Sequence, residues 1–201
     1  LKKKFGYILI ILILFSCNQT ETKNTPEIEI FLTKKRIKSY QGLEISENNI
    51  DSLGYRFVES RFDFNVIRLD TTTNELIFSG EFTAKKTDLR DKPFLDKSRI
   101  IDFNPKNGHL IIDSIGAKQI TELPRSNNMG HQFVLTVDGE PKLFGYFYSY
   151  PFSYYCHTYT YDFLRPILIT DFEMTYGREM RKVDLEIENP ELYKILSNRD
   201  K

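Results

Sequence analysis

Residues 132–150 read QFVLTVDGEPKLFGYFYSY, and this stretch decides the fold. After Gln132, apolar and β-branched residues fill 133–137, and 142–150 is a second run dense in aromatics, with Asp138-Gly139 between them. An Asp-Gly pair between two such runs predicts a tight hairpin, because the favoured two-residue turn needs positive φ at both positions. An antiparallel hairpin is therefore the expected centre of the fold.

The same grammar extends outward. Residues 99–103 and 109–113 read as a second hairpin turned by Asn104-Pro105-Lys106-Asn107-Gly108, since Asn-Gly again favours positive φ. Ser114 reads as the cap of a short helix carrying Ala117, Ile120 and Leu123, and Pro124 ends it. Residues 66–70 and 75–82 form a third hairpin pattern around 71–74, and at 27–32 Ile28, Ile30 and Leu32 share one face of a strand. Between them, Ser46, Ile50, Leu53 and Phe57 have helical spacing over 46–60, interrupted by Gly54. The charged stretch 85–99 around Pro93 reads as a solvated loop, with a partner-binding loop as the alternative.

Downstream, 155–162 and 166–170 are further strand candidates. Residues 181–188 alternate, with Val183, Leu185 and Ile187 expected inward against Lys182, Asp184, Glu186 and Glu188. Asn189-Pro190-Glu191 is a helix start: a capping amide, a proline at the first helical position and an acid in the first turn. Leu192, Ile195 and Leu196 give that helix its apolar stripe. The expectation is a single α+β domain over 27–198, mainly antiparallel sheet with two or three short helices.

Composition narrows the class. The 201 residues carry 28 basic and 28 acidic side chains with 40% hydrophobic residues. That balance excludes global disorder and a polytopic membrane protein. A zero net charge argues against nucleic acid as a partner, which selects a basic surface.

The N-terminus reads as an address. Lys2, Lys3 and Lys4 precede the apolar stretch FGYILIILILF (5–15), then Ser16 and Cys17. The run falls well short of the ~20 residues a membrane-crossing helix needs, and its order is that of a secretory signal. Leu14-Phe15-Ser16-Cys17 resembles a bacterial lipobox, with Phe15 bulkier than the small residue usual there. The resemblance implies a signal peptide over 1–16, acylation of Cys17 and a polar tether over 17–26. A plain secretory signal is the competing reading. Acylation on more than one chain implies stable attachment to a membrane. Asn18 differs from the aspartate that retains many lipoproteins in the inner membrane, so the outer membrane, on its periplasmic or surface face, is the expected location.

Two further resemblances concern the mature chain. Residues 98–148 hold His109-Leu110-Ile111-Ile112-Asp113, then Gly116-Ala117-Lys118 and Val137-Asp138-Gly139. That order resembles the head of the first periplasmic domain of SecD-type translocation proteins, and implies a fold that contacts extended polypeptide. The lipobox with the Glu27-Ile28-Glu29-Ile30-Phe31-Leu32 opening is similar to small Bacteroidetes-type lipoproteins. Neither resemblance implies a catalytic residue.

Candidate chemistry is sparse. Cys156 beside His157 invites a nucleophile and base, yet neighbours on a strand point to opposite faces, and a buried inert thiol is the simpler reading. His109, His131 and His157 lack metal-ligand spacing, so neither a metal nor another cofactor is expected. Asp162 and Asp171 flank an aromatic segment without any spacing that pairs them. That segment is the conspicuous feature: 11 of the 20 residues from Phe144 to Phe163 are Phe or Tyr. Strand phasing puts Tyr146, Tyr148 and Tyr150 on one face, and Tyr159 and Tyr161 on one face of the next strand. Facing the same way, they would form a partner-binding platform; the alternative is packing beneath a helix. The expected role is a lipid-anchored, non-catalytic binding or accessory protein of the cell envelope, contacting an envelope protein, extended peptide or glycan. The rivals are an immunity or inhibitor lipoprotein against a secreted toxin, and an envelope hydrolase using Cys156 or a histidine.

Overall fold

Asp138 and Gly139 take φ of 52° and 71°, the two positive values that a tight primed turn requires. They fold β7 (His131–Val137) back onto β8 (Glu140–Tyr150) as the sequence predicts. The computed structural model describes residues 25–45, 66–124, 129–150, 156–164 and 167–198. Residues 1–16, Cys17 and the helical pattern at 46–60 lie outside that range.

The hairpin is the middle of a six-stranded sheet. On one side lies β1 (Ile28–Leu32), antiparallel to β7 with Ile30 opposite Leu135. On the other side lie β9 (Tyr159–Leu164), β11 (Met174–Tyr176) and β12 (Arg181–Lys182). A second sheet joins β5 (Ile100–Asn104), β6 (His109–Ile112) and β10 (Asp171–Phe172). A third small sheet holds β2 (Leu43–Glu44), β3 (Arg68–Asp70) and β4 (Glu75–Ile77). The fold is α+β and mainly antiparallel. β8 and β9 are the exception and run parallel, with Gly145 opposite Tyr159 and Phe147 opposite Tyr161.

The main core fills one face of the large sheet. Ile30, Phe133, Leu135, Phe147, Tyr161 and Phe163 pack there against Leu110 and Ile112 of the second sheet and against α1 (Ser114–Thr121). Asp113 caps α1, accepting the Gly116 N–H at 2.7 Å, so the cap lies one residue before the expected Ser114. Phe82, Ala84, Leu89, Val134, Tyr146, Tyr148 and Cys156 form a second cluster. Both faces of the central hairpin are thus covered, and six of the seven β7 residues are buried.

The charged stretch 85–99 closes the outer edge of β1. Leu95 and Ile30 exchange backbone hydrogen bonds at 3.0 and 2.9 Å, and the Arg90 N–H reaches the Leu32 carbonyl at 3.0 Å. Leu89 and Leu95 are buried beneath the charges around them, so this loop removes an edge open to stray pairing.

Two expectations are corrected at the C-terminal end. Residues 167–170 are not a strand; only Asp171–Phe172 pairs, with β6. The alternation over 181–188 gives two strand residues and then α2 (Leu185–Glu188). The Asp184 side chain accepts the Glu186 N–H at 3.1 Å and starts that turn, which leaves Ile187 78% exposed. The last helix, α3 (Pro190–Ser197), starts where predicted, with the Asn189 side chain accepting the Leu192 N–H at 3.1 Å. Among the described residues no helix is long and apolar enough to cross a membrane.

Candidate functional site

The parallel register separates the two tyrosine ladders. Tyr146 lies beside Thr160 and Phe147 beside Tyr161, so Tyr146 and Tyr148 point to one face of the sheet and Tyr159 and Tyr161 to the other. A shared platform is therefore not what these strands build. Tyr146 and Tyr148 are 1% and 5% exposed, covered by the non-helical segment around Phe82 rather than by a helix. The Tyr146 hydroxyl donates to the Gly80 carbonyl at 3.0 Å and accepts from Gln132 at 3.1 Å. Gln132 in turn ties down Ile37, accepting its N–H at 2.7 Å and donating to its carbonyl at 2.9 Å. This buried network is satisfied within itself, which makes it part of the scaffold. Tyr161 is fully buried with its hydroxyl on the Gly108 carbonyl, and Tyr150 closes β8. Of the proposed ladder, Tyr159 is half-buried and faces a cleft.

That cleft encloses about 470 Å³, within the range of small-molecule sites. It forms where the start of β8, the start of β9, β11 and the α2–α3 junction meet the segment after β4. Five rings wall it. Tyr159 meets Tyr176 edge-on at 4.9 Å between centroids, and Phe82 meets Phe144 edge-on at 5.8 Å. Tyr40 supplies the fifth and is 62% exposed.

Charge is arranged around the rings in pairs. The Glu81 carboxylate accepts two phenolic hydroxyls, one oxygen from Tyr40 at 2.8 Å and the other from Tyr176. Burial first, and the bond to Glu81 second, push the Tyr40 phenol up to about 12 and Tyr176 higher still. Both are therefore O–H donors at any physiological pH. The Arg181 guanidinium lies 4.6 Å from the Tyr176 ring centroid and pairs with Glu188 at 2.5 Å. Lys142 pairs with Glu191 at 3.3 Å, and its carbonyl accepts from the Asn189 amide at 3.4 Å. The site thus offers fixed rings, donors and acceptors with little net charge.

The other sequence candidates sit elsewhere. Cys156 is buried beside Ser79, its thiol donating to the Ser79 carbonyl at 3.4 Å. Burial pushes that thiol up to about 11, so it is protonated at neutral pH, whereas a nucleophile needs the thiolate. Burial lowers the His157 imidazole, while Asp70 and Glu75 act to raise it and Arg178 to lower it. His131 bonds the Pro124 carbonyl at 2.6 Å, and His109 pairs with Asp171 at the sheet surface. Among the described residues no three His, Cys, Asp or Glu side chains gather to hold a metal ion. Asp162 and Asp171 belong to different sheets. Burial pushes the Asp162 carboxyl up to about 6.

Sequence reasoning reached Tyr159 and missed Tyr40, Glu81, Tyr176, Arg181 and Glu188. Tyr40, Glu81 and the stretch 176–188 lie far apart in the sequence, and no local spacing joins them. Compared against family models, curated proteins and solved structures, the chain matches none.

Proposed function

We propose that this chain is a lipid-anchored protein of the cell envelope, attached to the outer membrane through Cys17, that binds a partner in the aromatic cleft and does no chemistry on it. The observation that carries the binding role is the cleft itself: a preformed cavity with five rings around a carboxylate held by two phenols. Fixed rings and oriented polar groups bind without first ordering themselves, which favours recognition. The Lys2–Lys4 start, the short apolar run and Ser16-Cys17 support the anchor.

The test is recovery of the full-length protein from its own envelope, as wild type and with Tyr40→Ala and Arg181→Ala together. Both side chains are exposed, so the melting transition should move by no more than about 1 kcal/mol equivalent. The co-purifying species should be lost. Equal recovery from both forms would move the binding site away from the cleft.

A further inference from the structure

Resting on the cleft as the binding site, we infer that its ligand is a neutral saccharide, stacked on Tyr40 and hydrogen-bonded by Glu81 and Arg181. Charge points there first. Two carboxylates, Glu81 and Glu188, and two cations, Lys142 and Arg181, share one lining, with Arg181 already paired to Glu188 at 2.5 Å, so a ligand of either sign meets a like charge as well as an opposite one. A ligand with many hydroxyls and no charge meets neither penalty.

Hydrogen-bonding capacity agrees. A carboxylate has about four acceptor sites and a guanidinium five donors. Glu81 uses sites on two phenols, and Arg181 places one donor on Glu188. Both keep capacity aimed by the partner that holds them. Sugar hydroxyls, each donor and acceptor, suit such a mixed lining.

The ring at the mouth is the third observation. Tyr40 is 62% exposed, yet it is held at two points. Its hydroxyl donates to Glu81 at 2.8 Å, and its backbone N–H bonds the Glu81 carbonyl at 3.1 Å. An exposed aromatic ring fixed at both ends has already lost the freedom that stacking a ligand would cost. Its electron-rich face attracts the polarised C–H groups on the apolar side of a pyranose ring. A peptide binding by strand addition would instead need a long free strand edge. The edge strand nearest the cleft, β12, is two residues long.

The test is titration of the full-length protein, in a detergent without a sugar head group, followed by ligand-observed NMR. The probes are cellobiose, maltose and chitobiose as neutral disaccharides, digalacturonate and chitosan dimer as charged ones, and trialanine as a peptide. A neutral disaccharide should bind more tightly than both charged ones and the peptide. Tyr40→Ala should weaken that binding by roughly tenfold or more, and Tyr40→Phe, which keeps the ring but frees it from Glu81, by a few-fold. Tighter binding of a charged disaccharide or of the peptide, or saccharide binding indifferent to Tyr40→Ala, overturns the inference. If no disaccharide binds while the envelope partner is still lost in the Tyr40→Ala, Arg181→Ala form, the saccharide reading alone falls. If that partner loss also fails to appear, the cleft reading falls with it.

Discussion

Ionising Asp162 places a negative charge in a half-buried position on β9, near Tyr148 and Cys156, and burial resists it. Its carboxyl is raised from 3.8 to about 6, so between those values the folded state binds its proton more tightly than the unfolded chain does. The stabilising contribution is complete below about 3.8 and is lost as pH rises through about 6. Asp162→Asn should therefore melt higher than wild type at pH 8, by on the order of 2 kcal/mol, with the gap closing near pH 4. A gap that persists in acid would mean the carboxyl is not held back by burial. Cys156 gives a second check at this scale. Its thiol should resist an exposed-thiol reagent at neutral pH until the protein unfolds, and Cys156→Ala should cost about 1 kcal/mol. Rapid labelling of the native protein would contradict its placement. The tyrosines differ by neighbour, not by type. Tyr146→Ala should cost about 3–5 kcal/mol in a melt, because it opens a cavity beneath Phe82 and strips the Gly80 carbonyl of its donor.

At the scale of elements, what the sequence made legible was local. The Asp138-Gly139 hairpin, the turn at Asn107-Gly108 and the start of α3 depend on residues a few positions apart, and each formed where its signal stands. Residues 181–188 misled because Val183 and Leu185 are buried in either reading, and the Asp184 cap rather than the alternation turns the next residues into a helix. The parallel pairing of β8 with β9 was not legible, since no short-range signal encodes which edge a returning strand chooses. That pairing decided the ladders: its register, with Tyr146 beside Thr160, set Tyr159 on the face opposite Tyr146. Gly145, paired with Tyr159, leaves no room for a side chain. A Cβ there would lie 2.5 Å from the Tyr159 carbonyl oxygen and 2.7 Å from the Phe133 ring. Gly145→Ala should lower stability by about 1–3 kcal/mol and reduce ligand binding through the displaced Tyr159, measured by a melt beside a binding assay. On the far edge, Leu95→Ala should cost about 2–5 kcal/mol, because this fully buried side chain anchors the loop that seals β1.

At the scale of the whole molecule, the proposed anchor is read from the sequence and the cleft is not. The anchor is a contiguous signal and could be named residue by residue. The cleft is assembled from the segments around Tyr40, Glu81, Phe144, Tyr159, Tyr176 and Glu188, and only the fold brings them together. The anchor predicts a membrane-fraction protein that starts at Cys17 with an acyl mass increment, and Cys17→Ser should leave an uncleaved or soluble form. Intact-mass analysis checks both, and a mature form starting elsewhere without lipid would falsify it. The central claim, that this anchored chain recognises its partner through the cleft, is tested most directly inside the envelope. A photoreactive benzoylphenylalanine at Thr83, exposed on the cleft rim, is compared with one at Ile101, 64% exposed on the second sheet. The account predicts a discrete crosslinked species from position 83 and none from position 101; no adduct at 83, or the same adduct from both, would contradict it.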